Sequence, residues 1–492
     1  MSFLNQSGDL SPFNEVVPDA ARVTGLTRSS ILTQRRRCRI TPQSGQNYGS
    51  AGAGGGNSQL QFLIADQGGL IDPKSIVLNY FIQTNATAAV PDDGHPFTTC
   101  QVLMNGQLMD NIQNAMKYTN IEMKMGGSRA YYQTAGSLQG FELLNNDLLT
   151  TLPVAGSGSV IASEGQFGYV SNNVADISTR TTRAASAVTN NIAGEPRSIP
   201  LGLLSGVGRM KTYLPVSLLG ELSIVLITGT AAEVLFNPTS NIAGDYSLAQ
   251  VSLEYDIVVP APQYMSLLQK IASDPSDSGV NMPFESAIVT AGAAISSSAT
   301  LAENSVIVSR ATNHLLRAHV VQIPTTLLAS VNFPSQSCFG HAGTYSVQFR
   351  IGSQTYPQVA CQGDAALLNM SLCAYGSATQ ENGFVGNRML WANATNGSAA
   401  GTPAVYETGN ASSGGTVKFA YADSFIPSYG FQTVKGGASP LDVDGVSLAG
   451  ASGSQLIATI VQAPAVAYTP FVCLVALKFV KAAAGSVQIV GA

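Results

Sequence analysis

The sequence predicts an all-β protein made of two consecutive β-sandwich domains. Its 492 residues and 51.0 kDa exceed the roughly 150 residues of a typical single domain, so two domains or one oversized β domain are expected. Short segments in both halves alternate apolar and polar residues, which is the period of a half-buried strand. One segment near the middle has the spacing of an amphipathic helix, and it separates the two strand-rich halves.

The first half begins with an arm and continues with strands. Residues 1–35 lack sustained periodicity and form the predicted N-terminal arm. After a glycine-rich turn, Leu60, Phe62 and Ile64 alternate with polar residues, and the apolar side chains of 76–82 keep the same spacing of two. The clearest strand is QVSLEYDIVVP, whose apolar side chains share one face: Val251, Leu253, Tyr255, Ile257 and Val259.

A short helix and a polar linker divide the chain. Tyr264, Leu267, Leu268 and Ile271 follow two prolines at i, i+3, i+4 and i+7, which predicts a helix. The stretch SDPSDSG then ends it and marks the boundary between the halves. We therefore predict a first domain over 36–272 that includes this terminal helix, a linker over 273–285 and a second domain over 286–492.

The second half repeats the strand pattern in TYSVQFRI, SQLIATIV, FVCLVALKFV and SVQIVG. A charge-free stretch from 445 to 477 is interrupted by prolines and polar residues, so it predicts two buried strands and no membrane span. Two Gly/Ser/Thr/Asn-rich stretches, 153–196 and 378–416, interrupt the strand series at matching places. Their length and polarity predict exposed loops, which we expect on the outer face of an assembly.

The composition favours a protein that hides much of its surface in an assembly. Charged residues make up 11% of the chain, against about 25% in average soluble proteins, while hydrophobic residues reach 45%. Intrinsic disorder is excluded because it requires high charge and low hydrophobicity. The formal charge of −5 does not suit a protein whose main surface lies along nucleic acid. The first residues lack a basic region and an apolar segment, so no secretory signal is expected.

No catalytic residue, metal ligand or cofactor site is predicted. The common hydrolase, nucleotide-binding and zinc motifs are absent from the sequence, and its four histidines give few candidate general bases. Cys338 and His341 with Cys361 and Cys373 lack the close second pair of a zinc site, and the six scattered cysteines fit free thiols better. Three acidic pairs lie in turn-like surroundings, which favours bonding to turn backbone over catalysis: Asp92/Asp93, Asp274/Asp277 and Asp442/Asp444.

One dense charge cluster stands out in the sequence. Arg35, Arg36, Arg37 and Arg39 follow the N-terminal arm within five residues. Two interpretations remain open: the guanidinium groups contact phosphate, or they mark the start of a solvated strand.

The chain resembles the double jelly-roll major capsid proteins of double-stranded DNA viruses, especially those of polinton-like viruses and virophages. The order and spacing of five segments carry the resemblance across almost the whole chain: RCRITPQSGQNY, FLIADQGGLIDPKSIVLNYFI, RMKTYLPVSLLGELSIVLI, VSLEYDIVVPAPQYMSLLQK and GTYSVQFRIGSQTYPQ.

The resemblance implies two eight-stranded jelly rolls per chain, three chains per pseudo-hexagonal capsomer, and an icosahedral shell around a double-stranded DNA genome. It implies a virion location, with neighbouring capsomers, minor capsid proteins and penton proteins as partners. Under this resemblance the arm and Arg35, Arg36, Arg37 and Arg39 face the particle interior, toward the genome, an internal membrane or a minor capsid protein. A minor capsid or penton protein and a carbohydrate-binding spike are the alternatives. Trp391 as the single tryptophan disfavours the spike, and the length for two rolls disfavours the penton.

Overall fold

A computed structural model describes the larger part of the chain. The described residues are 32–43, 48–49, 58–65, 68–84, 90–91, 94–126, 135–140, 194–236, 245–273, 280–310, 312, 314–325, 328, 344–374, 426–431, 445–448, 455–463, 467–483 and 486–490. The arm up to residue 31 and nearly all of both long polar stretches lie outside these ranges.

The first half folds into two antiparallel sheets around one core. Sheet A1 has the strand order β1-β12-β4-β8, and sheet B1 has the order β3-β10-β6-β7. The apolar faces of both sheets contribute to the same buried cluster, including Phe62, Tyr80 and Tyr255. The bounds are β1 Leu32–Ile40, β3 Gln59–Ile64, β4 Leu70–Thr84, β6 Phe97–Met104, β7 Gln107–Gln113, β8 Glu195–Pro200, β10 Leu222–Thr228 and β12 Tyr246–Pro260.

The second half repeats this arrangement. Sheet A2 has the order β13-β20-β15-β18, and sheet B2 has the order β14-β19-β16-β17. The bounds are β13 Val280–Ala291, β14 Ala302–Ser309, β15 Leu315–Pro324, β16 Thr344–Ile351, β17 Gln354–Gln362, β18 Ser428–Gly430, β19 Gln455–Gln462 and β20 Tyr468–Ala483.

Both halves have the connectivity of an eight-stranded jelly roll. If the eight principal strands of each half are counted in chain order, one sheet reads first, eighth, third, sixth, and the other reads second, seventh, fourth, fifth. Two interleaved Greek keys produce this order. The predicted all-β fold of two consecutive jelly rolls is therefore confirmed, and we refer to the halves as the first and second rolls.

Short strands and helices complete the two rolls. The short strands are β2 Tyr48–Gly49, β5 Val90–Pro91, β9 Leu214–Pro215, β11 Leu235–Phe236 and β21 Ser486–Val490. The helices are α1 Ala115–Gly126, α2 Ala135–Leu138, α3 Leu201–Leu204, α4 Val216–Leu219, α5 Ala231–Val234, α6 Pro262–Ser273 and α7 Asp364–Ala374, and a 3-10 turn spans Gly206–Arg209. No helix within the described part of the chain is long and apolar enough to cross a membrane.

Most predicted elements are present, with three corrections. Helix α6 matches the predicted amphipathic helix, although Leu267 of its predicted face is 53% exposed. Strand β12 buries its predicted face except for the half-buried Val259. Strand β13 begins at Val280, so 280–285 belong to the second roll and not to the linker; the polar stretch before Val280 obscured the strand start. Strand β1 likewise begins at Leu32, inside the predicted arm. Helices α1 and α7 were not predicted, because neither presents a clear polar face along its length.

Candidate assembly surfaces

Sheet A2 of the second roll is buried on both of its faces. On β20, Val472 and Leu474 belong to the core of the second roll. The alternate side chains Cys473 and Val475 belong to the cluster that is continuous with the core of the first roll. Because neighbouring strand residues point to opposite faces, the first roll must cover the outer face of this sheet.

The covering elements of the first roll are β7, α1 and the 3-10 turn. Residues 115–121 of α1 are all buried. The Nζ atom of Lys117 lies 5.1 Å from the ring centroid of Phe471 on β20, a cation–π contact. The backbone at Gly206 lies so close to β13 that a Cβ atom there would meet the carbonyl oxygen of Glu285 at 1.6 Å. The two rolls are thus joined by close packing along a whole sheet face.

A charged network crosses the contact between the rolls. The carboxylate of Glu122 on α1 lies 2.8 Å from Nη1 of Arg209 and 3.6 Å from Nη2 of Arg317 on β15. Arg317 also pairs with Glu285 on β13 at 2.8 Å. Burial alone would raise the pKa of Glu122, but the guanidinium groups of Arg209 and Arg317 outweigh burial and lower it to about 2. Glu122 is therefore ionised and held between cations from both rolls.

Asp110 on β7 links the rolls by a second polar contact. Its two carboxylate oxygens accept hydrogen bonds from Ser205 Oγ at 2.5 Å and from Ser286 Oγ on β13 at 2.6 Å. The carboxylate is completely buried, and burial raises its pKa despite both hydrogen bonds. Hydrogen bonds from both rolls thus satisfy one buried acidic group.

We expect Ser286→Ala to lower the free energy of unfolding by about 1–3 kcal/mol, because one oxygen of Asp110 would remain buried without its donor. Denaturant unfolding of the variant and of Ser305→Ala, an exposed serine on β14, provides the measurement and its control. Equal, small losses for both variants would show that the Asp110 contact does not couple the rolls.

The predicted basic cluster lies on β1, the edge strand of sheet A1. Arg35 contacts Asp72 on β4 at 2.9 Å and Asp256 on β12 at 2.7 Å. Arg37 contacts Glu254 on β12 at 2.9 Å. These ion pairs lie on the outer face of the sheet, and the side chains of Arg35 and Arg37 remain 54% and 53% exposed.

The two remaining arginines lie on opposite faces of β1. The strand register places Arg39 opposite Glu254, on the same face as Arg37. Arg36 lies opposite Ile257, on the face that also carries Cys38 and Ile40. The structure therefore does not bring all four arginines together on one surface.

Strand β17 is the fifth strand of the second roll, as β7 is of the first, and α7 follows β17 as α1 follows β7. Helix α7 packs against β18 of its own roll, where the backbone N–H of Ser428 donates to Ser371 Oγ. Val359 on β17 is 82% exposed, whereas Met109 on β7 is 1% exposed. In α7, Leu367 and Met370 are buried while Asn369 is exposed. Strand β17 is thus accessible at Val359 where β7 is buried at Met109.

The chain is similar to several solved structures at low sequence identity. No model of a protein family and no curated protein matches the sequence. Among solved structures, the PBCV-1 virus capsid is 11% identical, with 95% of this chain and 99% of that chain covered and a TM-score of 0.49. The Sputnik virophage structure is 11% identical, with 94% and 90% covered and a TM-score of 0.47. The major capsid protein from bacteriophage PM2 is 10% identical, with 90% and 98% covered and a TM-score of 0.28.

Such low identities and TM-scores define no family for this chain, so the repeated strand order decides the fold. The fold is a double jelly roll. The fold that the sequence resemblance implied is therefore confirmed by the strand order. Each roll has the same two surfaces. One is the covering surface beside its fifth strand, β7 or β17. The other is the outer face of the sheet that contains its first strand, β1 or β13.

The histidines described in this double jelly roll have structural contacts. His95 and His319 are completely buried, which lowers the pKa of each to about 3. The Nδ1 atom of His95 accepts the backbone N–H of Phe97, and its Nε2 lies 2.8 Å from Thr119 Oγ1. His319 Nδ1 lies 2.8 Å from Ser428 Oγ.

The other singled-out groups fall partly outside the described residues. Cys361 and Cys373 are free thiols, while Cys338, His341 and the three acidic pairs lie outside the described ranges. Where the structure describes the chain, no three His, Cys, Asp or Glu side chains come together as a metal site.

Sequence reasoning missed the groups that join the rolls. Asp110 and Arg317 have no charged residue next to them in the sequence, and Glu122 lies in a segment that also carries Lys117 and Lys124. Charged residues are rarely fully buried unless they are paired. A charged residue in a segment that is otherwise expected to be buried was therefore the sequence feature that could have indicated these contacts. Their partners come from distant parts of the chain, so the signal would have indicated burial without naming the contact.

Proposed function

We propose that this chain is a major capsid protein that forms trimeric, pseudo-hexagonal capsomers, which build an icosahedral shell around a double-stranded DNA genome. The observation that carries the proposal is the head-to-tail packing of two rolls with the same strand order. A covering surface of the first roll meets a sheet face of the second. The covering surface of the second roll and the equivalent sheet face of the first roll are not used in this contact, so each can meet the matching surface of another copy.

Head-to-tail contacts of this kind generate closed rings when the rotation between units closes. Three chains would place six similar rolls in one ring, which suits a pseudo-hexagonal tile. The low charge of the chain supports the same conclusion, because extensive flanks must be buried between copies. A penton protein built from single rolls would not require two rolls in one chain.

The other expected partners follow from this role. Neighbouring capsomers, minor capsid proteins and penton proteins would contact the tile in the virion. The interior location of the N-terminal arm and of Arg35, Arg36, Arg37 and Arg39 stays a prediction. No enzymatic activity is part of the proposal.

We expect the purified protein at micromolar concentration to have about three times the mass of the 51.0 kDa chain. Mass measurement in solution tests this result, with a dilution series to detect dissociation. A soluble monomer throughout the series would contradict the trimer.

Images of assemblies distinguish the proposed function from its alternatives. Hexagonally arrayed trimers would support a major capsid protein. Pentamers at isolated vertices would indicate a penton protein, and free fibres would indicate a spike. Either of the last two results would overturn the proposal.

A further inference from the structure

We propose that the outer face of sheet A1, including Arg35 and Arg37, is the surface on which a second copy of this chain docks through β17. This inference rests on the proposed function, because it names the surface that joins copies within a capsomer. It gives the arginine cluster a role in assembly in place of phosphate binding.

The two rolls differ in how their equivalent sheet faces are covered. On β15 of the second roll, His319 and Val321 point toward the first roll and are completely buried. On β4, the equivalent strand of the first roll, Val77, Asn79 and Phe81 point outward and are partly exposed. The outer face of sheet A2 is therefore covered, whereas the equivalent outer face of sheet A1 remains partly exposed.

Strand β17 of the second roll is the equivalent of the strand that covers sheet A2, and it could cover sheet A1 of another copy. Phe349 pairs with Tyr356 and Val347 pairs with Cys361, so residues 357–360 bulge from β17 opposite a single residue of β16. The bulge carries Val359, which is 82% exposed. In the first roll, the equivalent strand β7 contacts β13 through Asp110 and Ser286. By the same geometry, the β17 bulge of a second copy meets β1.

The charges of the two surfaces favour a protein partner over nucleic acid. The outer face of sheet A1 carries three basic and three acidic side chains that are adjacent in the strand register, and their formal charges cancel: Arg35, Arg37, Arg39, Asp72, Glu254 and Asp256. Phosphate binding requires an excess of positive charge. The segment from Ser353 to Ser371 contains Asp364 as its single charged residue, which suits docking on a face whose charges are already paired.

Substitution on the covering surface tests the contact. We expect Val359→Asp to raise the dissociation constant of the capsomer at least about tenfold, because the new carboxylate would be buried against the neighbouring copy. The matched control is Ile307→Asp, since Ile307 is a 55% exposed apolar residue on β14, at the opposite edge of sheet B2. Both variants should keep the unfolding midpoint of the wild type. Equal dissociation constants for the two variants would overturn the proposal.

Cross-linking then identifies the partner strand. Chains carrying Arg37→Cys are mixed with chains carrying Val359→Cys, dissociated, reassembled and treated with a short bismaleimide. A two-chain product above the background of wild type and of each variant alone is expected. Its absence from assembled capsomers would contradict docking on β1.

Replacing the four arginines with glutamine distinguishes the outcomes. Weaker capsomers are expected if β1 joins copies. Intact capsomers with a salt-dependent loss of packaged DNA would instead assign the cluster to phosphate and overturn this inference while leaving the capsid function in place. A wild-type chain that never oligomerises would overturn the proposed function itself.

Discussion

Glu122→Ala is expected to lower the free energy of unfolding by about 3–5 kcal/mol, because removing one partner of a buried ion pair leaves the other charge uncompensated. The carboxylate lies 2.8 Å from Arg209 and 3.6 Å from Arg317. Its side chain is 10% exposed, and that of Arg317 is 12% exposed. Removing it leaves Arg209 without this carboxylate and Arg317 with Glu285 alone, at the contact between the rolls.

Urea unfolding at one fixed protein concentration measures the loss, since oligomerisation makes stability depend on concentration. Glu303→Ala is the matched control because Glu303 is an exposed glutamate on β14. We expect that control to change stability by less than about 0.5 kcal/mol. A comparable loss in both variants would show that the Glu122 network does not hold the rolls together.

The same carboxylate gives a prediction for acid stability. The pKa of Glu122 falls from an ordinary 4.5 to about 2 in the folded protein. A lowered folded-state pKa contributes stability above the unfolded pKa, and that contribution is lost as pH falls from about 4.5 toward 2. A shift of this size corresponds to about 3 kcal/mol.

Glu122→Gln should therefore flatten the stability profile between these pH values relative to the wild type. Other carboxylates titrate in the same range, so the difference between the two proteins is the informative quantity. Parallel profiles would contradict a strongly lowered pKa.

Gly206→Ala is expected to lower the free energy of unfolding by about 3 kcal/mol or more, because overpacking against rigid backbone cannot be relieved by a side-chain rotation. The added Cβ would lie 1.6 Å from the carbonyl oxygen of Glu285 and 2.6 Å from its carbonyl carbon. Either β13 must move away from the first roll, or the 3-10 turn must unfold. Hydrogen exchange at β13 and β7 should accelerate together.

Gly106→Ala separates this clash from an ordinary loss of glycine. A Cβ at Gly106 would meet nothing within 4 Å, although its φ of 75° lies in the left-handed region. That conformation alone costs about 1–2 kcal/mol for alanine. If Gly206→Ala proves no more damaging than Gly106→Ala, the rolls are less closely packed than described.

Local sequence patterns predicted elements that place a regularly spaced set of apolar side chains against the core. Strand β12 buries Val251, Leu253, Tyr255 and Ile257 as its alternation indicates. Helix α6 follows its predicted spacing. Such patterns arise because a half-buried element repeats its environment every two or every 3.6 residues, so neighbouring residues carry the information.

Elements covered on several sides were less predictable. Residues 115–121 of α1 are all buried, the polar side chains of Lys117, Thr119 and Asn120 included, so its polar residues do not mark a side that faces solvent. Strand β20 is apolar on both faces, which indicated burial without indicating the covering surface. The spacing of apolar residues indicates how many sides of a helix or strand are buried, but it does not indicate which element packs against each side.

The sequence by itself determined the two-domain β architecture and the position of the arginine cluster. The tertiary structure alone decided the surroundings of that cluster, since Arg37 and Glu254 are 217 residues apart in the chain and 2.9 Å apart in space. It also decided that Glu122 lies between Arg209 and Arg317. Charges that read as a basic run in the sequence are balanced in the fold because antiparallel register pairs β1 with an acidic strand from the end of the roll. The local spacing of apolar and polar residues carries no information about contacts between residues that lie far apart along the chain.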